Sequence, residues 1–448
     1  MFEPFTYKTL EAIRKRIREL NISLPLSDNV DILKHPLEFK KISIPNRLSI
    51  QPMEGFDAKS NGAPSELTLR RYKRYAKGGA GLIWFESTAI SKESRSNPHQ
   101  LMISKENYKD FEKLVTTVRD LSCESLKKLG FSGGCQLILQ LNHSGRYSTF
   151  SGKRYPIRAY HNQDLDNTLN VKENEGTIIT DEELKVLESI WIEKAILAEK
   201  AGFDGVDIKA CHGYLISELL NSYQRVDSKY GGPDLKKRTL FLKNILQGIK
   251  KEIDNLILTT RLGVYDGISY PYGFGAKREQ ISSFPPKMDL AEPIQLVIEL
   301  SELGIYIFNF TAGNPHYKPF ITRPYDIPIK DGSVPPEHPL ISVDRITSLA
   351  GLIKSKVTNK IVTITSGLSY LREFAGFLAA GLIEQNKTDI CGFGRMAFAN
   401  PEFPIQLFRK RIINKKDSCI TCSKCSQFMK EGKNTGCAIR DPLYKESA

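Results

Sequence analysis

At 448 residues, with 40% hydrophobic and 26% charged side chains, the sequence has ordinary globular proportions, which excludes a disordered or fibrous chain. Lys and Arg outnumber Asp and Glu by 64 to 51, a formal net charge of +13, but the excess lies in short clusters such as Lys236-Lys237-Arg238 and Arg409-Lys410-Arg411. That is the pattern of a solvated basic surface, so no nucleic-acid partner is expected.

The first 34 residues read as a helical extension. Charges interrupt its apolar residues, unlike a secretory signal, and Leu10, Ile13, Ile17 and Leu20 recur on one helical face. No run in the chain approaches the roughly 18 to 20 apolar residues of a membrane span, so no membrane partner is expected.

From residue 35 to about 410, short β-rich apolar runs alternate with helix-patterned segments. The runs are Leu48 to Met53, Gly81 to Thr88, Cys135 to Asn142, Gly205 to Ala210, Leu258 to Val264, Ile305 to Thr311, Ile361 to Ser366 and Asp389 to Gly394. Eight βα units predict an α/β fold in which a parallel sheet closes into a (β/α)8 TIM barrel. Long Pro-, Gly- and Tyr-containing insertions follow three strands: Gly145 to Thr180, Tyr265 to Met288, and Asn314 to Pro339. All fall on the C-terminal side of the strands, where a barrel of this kind carries its active site.

The seventh run ends in ITSG, closing at Gly367, and the eighth in GFGR, with Gly394 and Arg395. Glycines there let backbone N–H groups approach a phosphate, and Arg395 adds a charge-assisted partner. A rival reading takes Gly392, Gly394 and Ala397 as a dinucleotide fingerprint, but that motif opens a βαβ unit with an acidic residue about 20 positions on. Here the chain instead enters Pro401, a basic helix and a cysteine cluster.

Four of the eight cysteines are scattered, and the other four form C-x2-C-x2-C-x11-C as Cys419, Cys422, Cys425 and Cys437 within residues 411–448. This distribution is unlike a secreted disulfide framework, and a reducing cytoplasm is expected. Four thiolates at this spacing suit either a tetrahedral zinc or an iron–sulfur cluster, and three close cysteines plus one remote one suit a [4Fe-4S] cubane better than two separate zinc knuckles.

Over residues 35 to 410 the chain resembles the Old Yellow Enzyme group of NADH:flavin oxidoreductases. The matching pieces are Asn46-Arg47 and Gln51-Pro52-Met53, GGAGLIWFESTAI from Gly78, QLNHSGR from Gln140, AGFDGVDIKACHGYL from Ala201, Tyr230-Gly231-Gly232, ITSG and GFGR. The resemblance implies bound FMN, with NADH or NADPH as electron donor. It places Pro52, Met53, Glu54 and Ser87 along the flavin, Gln140 and Arg261 at its pyrimidine side, and Gly367, Gly394 and Arg395 at its phosphate.

It further implies that His212 holds the oxygen of a small-molecule substrate while Tyr214 protonates the carbon opposite the hydride. Lys209 stands where the family has a neutral donor, a departure that points toward a carboxylate substrate. Glu54 is a second departure, with Lys209 as its expected cation. The expected reaction is reduction of an activated C=C bond in an enone, enoate or enoyl thioester. Amine oxidation, or service as a flavin and iron–sulfur electron-transfer subunit, is the alternative. The cysteines resemble the cluster site of 2,4-dienoyl-CoA reductase and trimethylamine dehydrogenase, and a cluster implies a separate electron-transfer partner or a structural staple.

Overall fold

The computed structural model describes residues 2–279, 284–358 and 360–445. Eight parallel strands close into one barrel: β1 (Leu48–Ile50), β2 (Leu82–Ala89), β3 (Gln136–Asn142), β4 (Gly205–Ile208), β5 (Ile257–Tyr265), β6 (Ile307–Ala312), β7 (Val362–Thr365) and β8 (Ile390–Phe393). Each pairs with its neighbour in sequence, and β8 returns to β1 with Cys391 opposite Leu48 and Phe393 opposite Ile50. All eight predicted strands are present. β1 is shorter than the run Leu48 to Met53 because Gln51 donates the last bond, to Phe393 O at 3.1 Å, and Pro52 has no N–H to extend the ladder.

Helices return the chain between strands over Glu66–Lys77, Tyr108–Lys128, Asp181–Lys200, Leu235–Glu252, Ala291–Glu302, Pro339–Lys354 and Ala375–Glu384. Local chemistry starts two of them crisply. The Ser65 hydroxyl accepts from Leu67 N and Thr68 N, and Thr180 with Glu183 forms a reciprocal capping box.

Side chains that point into the barrel change character along the strands. At the N-terminal end, Leu82, Trp84, Ile138, Ile307, Val362, Ile364 and Ile390 form an apolar plug with Phe39 and Ile44 of a hairpin, Leu37–Phe39 paired with Ile42–Ile44. Farther along, the inward positions become Gln51, Gln140, Asp207, Arg261 and Asn309, all buried. Asn309 Nδ2 donates to Gln51 Oε1 at 2.9 Å, so this polar layer is internally tied. It forms a floor beneath the C-terminal mouth.

The N-terminal extension packs on the barrel. Its helix, Leu10–Glu19, buries Ile13 and Ile17, and the Phe5 ring meets Tyr370 edge-on at 5.6 Å. The cysteine-bearing segment lies across the mouth. Asp326 N donates to Thr421 O at 3.1 Å, Thr435 N to Gly55 O at 2.7 Å, and Arg70 grips both oxygens of Asp441 at 2.9 Å. Among the described residues no helix is long and apolar enough to cross a membrane. Residues 280–283 of the predicted loop Tyr265 to Met288 lie outside the described residues.

Candidate functional site

Strand β4 leads into the candidate site. Beyond Ile208 the backbone turns at His212 (φ 65°) and Gly213 (φ 73°), so Lys209, His212 and Tyr214 all reach the mouth within one turn. An added Cβ at Gly213 would collide with the Asn314 side-chain amide and crowd the Tyr147 hydroxyl, which leaves glycine as the residue for this left-handed turn.

The Lys209 ammonium donates to Ser87 Oγ at 3.2 Å, lies 3.8 Å from Glu54 Oε1, and sits 3.6 Å from the centre of the Tyr214 ring. The expected Lys209–Glu54 pair is therefore present, and Ser87 completes it. Both charges are deeply buried: burial pushes Lys209 below its usual range and Glu54 above its own, while each partner's charge pulls against the shift. Glu54 Oε2 is buried with no hydrogen-bond partner.

His212 Nε2 shares a hydrogen bond with Thr311 Oγ1 at 3.2 Å. Burial, then the Arg261 and Lys209 charges, hold its imidazole well below the usual range, so it is neutral. Burial and the Glu54 charge hold Tyr214 well above the usual phenol range, so it carries its proton.

Sequence reasoning missed the roof of the site. The Tyr147 ring stacks on His316 at 3.9 Å between centres and meets the Tyr214 ring at 5.4 Å. Asn314 Nδ2 donates to the Tyr147 hydroxyl at 2.8 Å, and Asn314 Oδ1 accepts from His316 N at 2.9 Å. Tyr147 directly follows the QLNHSGR stretch, so its position was legible. His316 comes from the long loop after β6, and only the folded chain brings the two together.

At the floor, Gln140 Nε2 donates to Asp207 Oδ2 at 2.6 Å, and Arg261 is buried with Nε unpartnered. Gly392 and Gly394 have a second reason to be glycine: a Cβ on Gly392 would collide with the Gln51 side chain, and one on Gly394 would stand 2.8 Å from Met53 Sδ. Met53 thus lines the same rim as the GFGR turn, and Gly367 opens the adjacent turn, after β7, at φ 96°. Arg395 is 7% exposed, and its Nη1 is buried without a partner. An unsatisfied buried guanidinium beside a glycine-lined rim fits an anionic phosphate, and the unpartnered Arg261 Nε fits a polar ring edge.

Cys419, Cys422, Cys425 and Cys437 line one small cavity with Arg395. No disulfide joins any of the eight cysteines. Burial raises the Cys425 thiol, and the Arg395 and Arg323 guanidiniums pull against it. Among the described residues, no three His, Cys, Asp or Glu side chains converge closely enough to share one metal ion.

Residues 33–277 match the model of the NADH:flavin oxidoreductase / NADH oxidase family. The chain is 32% identical over 214 residues to an NADPH dehydrogenase of Clostridium acetobutylicum, covering 47% of this chain and 58% of that protein. It is 26% identical over 393 residues to an NADH oxidase of Thermoanaerobacter brockii, covering 85% of this chain and 51% of that one. The chain thus spans little more than half the length of either relative. A solved structure of 2-naphthoyl-CoA reductase with 2-naphthoyl-CoA superposes with a TM-score of 0.70 at 19% identity, covering 93% of this chain and 58% of that one, a likeness of fold.

Proposed function

The chain belongs to the NADH:flavin oxidoreductase / NADH oxidase family, and on that premise we propose that it is an FMN-dependent NAD(P)H oxidoreductase that reduces an activated C=C bond. The observation that carries this reading is the Tyr214 phenol at the end of β4, buried and held in its protonated form with the Lys209 ammonium on its ring face. FMN, when bound, supplies the two-electron relay between the nicotinamide and the alkene.

Each remaining step falls to side chains of this chain. Adding hydride to the β-carbon of an enone, enoate or enoyl thioester builds negative charge on the carbonyl oxygen. The Lys209 ammonium and the His212 imidazole are the donors for that oxygen. Tyr214 gives its hydroxyl proton to the α-carbon and is reprotonated from water. The Tyr147–His316 stack, with His316 on its exposed side, offers a flat aromatic face to a conjugated substrate. Glu54 compensates Lys209 while no substrate is bound, so an anionic substrate competes for a cation that already has a partner.

Arg395, Gly367 and Gly394 hold the FMN phosphate in this reading, Gln140 and Arg261 its pyrimidine edge, and Pro52, Met53, Glu54 and Ser87 the ring's surroundings. In the same reading Cys419, Cys422, Cys425 and Cys437 would hold a [4Fe-4S] cluster, which would supply one-electron transfer to a separate partner protein or serve as a structural staple beside the flavin. Support for a cluster over zinc comes from the spacing, three close cysteines and one remote one, and from the four cysteines lining one cavity beside a buried arginine.

The test starts with a visible spectrum of the purified protein, then anaerobic mixing with NAD(P)H and with amines, then reoxidation by enones, enoates and enoyl thioesters. Bleaching by a nicotinamide and recovery with an activated alkene is expected. Protein that cannot be loaded with FMN, or that is bleached by amines alone, overturns the proposal. Iron and sulfide analysis of anaerobic protein decides the cluster: about four of each per chain is expected, and zinc without sulfide rejects it.

A further inference from the structure

The Asp207 carboxylate stands behind both side chains assigned to the flavin's pyrimidine edge. It is fully buried on β4. Its Oδ2 accepts from the Trp84 indole N–H at 3.0 Å and from the Gln140 side-chain amide at 2.6 Å, and its Oδ1 accepts from the Arg261 backbone N–H. One side chain therefore ties β2, β3 and β5 to β4 just below the mouth.

The bond to Gln140 has a consequence that packing alone does not require. A primary amide has a donating end and an accepting end, and the two are nearly equal in shape. Asp207, when ionised, can only accept, so it captures the NH2 end and leaves the Gln140 carbonyl for the flavin. Three donors on one carboxylate favour the anion and oppose the burial that pushes it up to about 6. The pyrimidine edge of an isoalloxazine alternates acceptor, donor, acceptor along O2, N3–H and O4. A presented carbonyl pairs with N3–H alone, and a flipped amide would meet O2 or O4 instead.

We propose that Asp207 is a positioning residue for the flavin: by holding the Gln140 NH2 and the Arg261 backbone, it presents the Gln140 carbonyl to the N3–H of the ring. The inference rests on the FMN reading above. Asp207→Asn keeps the shape but turns one accepting oxygen into a donor, so it cannot satisfy Trp84, Gln140 and Arg261 together.

The experiment titrates flavin-free protein with FMN by fluorescence quenching and measures the two-electron midpoint potential of the loaded forms, for the unsubstituted protein, Asp207→Asn, Gln140→Ala and the double variant. Asp207→Asn is expected to weaken FMN binding by about 10-fold or more and to shift the potential, as for a lost hydrogen bond to a charged group. Adding it to Gln140→Ala is expected to change the Kd by less than about threefold, because the two substitutions break one interaction. An Asp207→Asn protein with Kd within about twofold of the unsubstituted one, or a double variant whose losses add in full, overturns the proposal.

A measurement on the unsubstituted protein covers the case in which Asp207→Asn fails to fold. With glutamine side chains labelled by 15N, the Gln140 NH2 signal is identified by its loss in Gln140→Ala. It is expected to exchange slowly with water both without and with FMN. Exchange as fast as that of a surface glutamine overturns the proposal. Unsubstituted protein that takes up no FMN at all defeats the FMN reading itself, a result distinct from either of these.

Discussion

The Lys209 ammonium touches two groups of opposite consequence: the Tyr214 ring, centred 3.6 Å away, and the Glu54 carboxylate, 3.8 Å away. The first contact puts a cation on the face of the phenol that donates the proton in the proposed reaction. The second keeps that cation compensated where both side chains are buried. A buried pair of this kind adds little net stability, yet removing one member leaves an unpaired buried charge.

Lys209→Met is therefore expected to destabilise the protein by about 3 to 5 kcal/mol, and Lys209→Met combined with Glu54→Gln to recover most of the loss. Urea melts of the three proteins check this. A Lys209→Met protein as stable as the starting chain would show that Glu54 is satisfied without the lysine. Lys209→His, which retains a donor of the family type, is expected to shift substrate preference toward neutral enones over enoates. An unchanged ranking removes Lys209 from substrate recognition.

Tyr214→Phe is expected to leave flavin reduction by NAD(P)H near its starting rate and to slow reoxidation by an alkene by about 100- to 10,000-fold, the usual range for a lost general acid. Stopped-flow traces of the two half-reactions separate them. Equal reoxidation rates in variant and parent would transfer the proton to another group, and Tyr147, whose ring lies 5.4 Å from that of Tyr214, is the one to test next.

The barrel was legible because each strand carries its own apolar run, and all eight runs became strands. The Lys209–Glu54 pair was legible as well, since both depart from the family pattern, each just beyond the end of a barrel strand. Other relationships were not. Tyr147 and His316 are 169 positions apart in sequence, so their stack depends on how the loop after β6 folds. Asp207 reads in sequence as one polar residue within GFDGVDIKA; its value lies in the three strands whose donors converge on it. Gly392 and Gly394 read as phosphate-approach glycines, whereas the fold adds crowding by Gln51 and Met53 as a separate requirement.

Arg395→Ala is expected to raise the Kd for FMN by about 10- to 100-fold, the worth of one hydrogen bond between charged groups. Equilibrium dialysis or fluorescence titration reads it directly. Riboflavin, which lacks the phosphate, should bind parent and variant alike. A loss of equal size for riboflavin would mean that Arg395 supports the fold of the rim, with no share in phosphate recognition.

Asp266 provides a test of stability against pH. It ends the loop side of β5, is 2% exposed, and receives a bond from Asn221 Nδ2 while its Oδ1 has no partner. Burial raises its pKa from 3.8 to about 7, and the single Asn221 donor only partly opposes the shift. Between these two values the folded chain holds a proton that the unfolded chain has released. The contribution to stability is therefore complete below the unfolded value and is lost as pH rises through about 7. Asp266→Asn removes the titration while keeping an oxygen for Asn221, so at pH 8 the variant should be more stable than the parent by about 1 to 3 kcal/mol, below the ceiling of roughly 4 kcal/mol set by a pKa raised from 3.8 to about 7. Near pH 4 the advantage should vanish. Glu86 and Asp207 are also raised, to about 7 and about 6, and titrate over the same range, so the quantity to read is the difference between parent and variant in urea melts at a series of pH values. A difference that stays constant from pH 4 to pH 8 would show that Asp266 is solvated or paired in the folded protein.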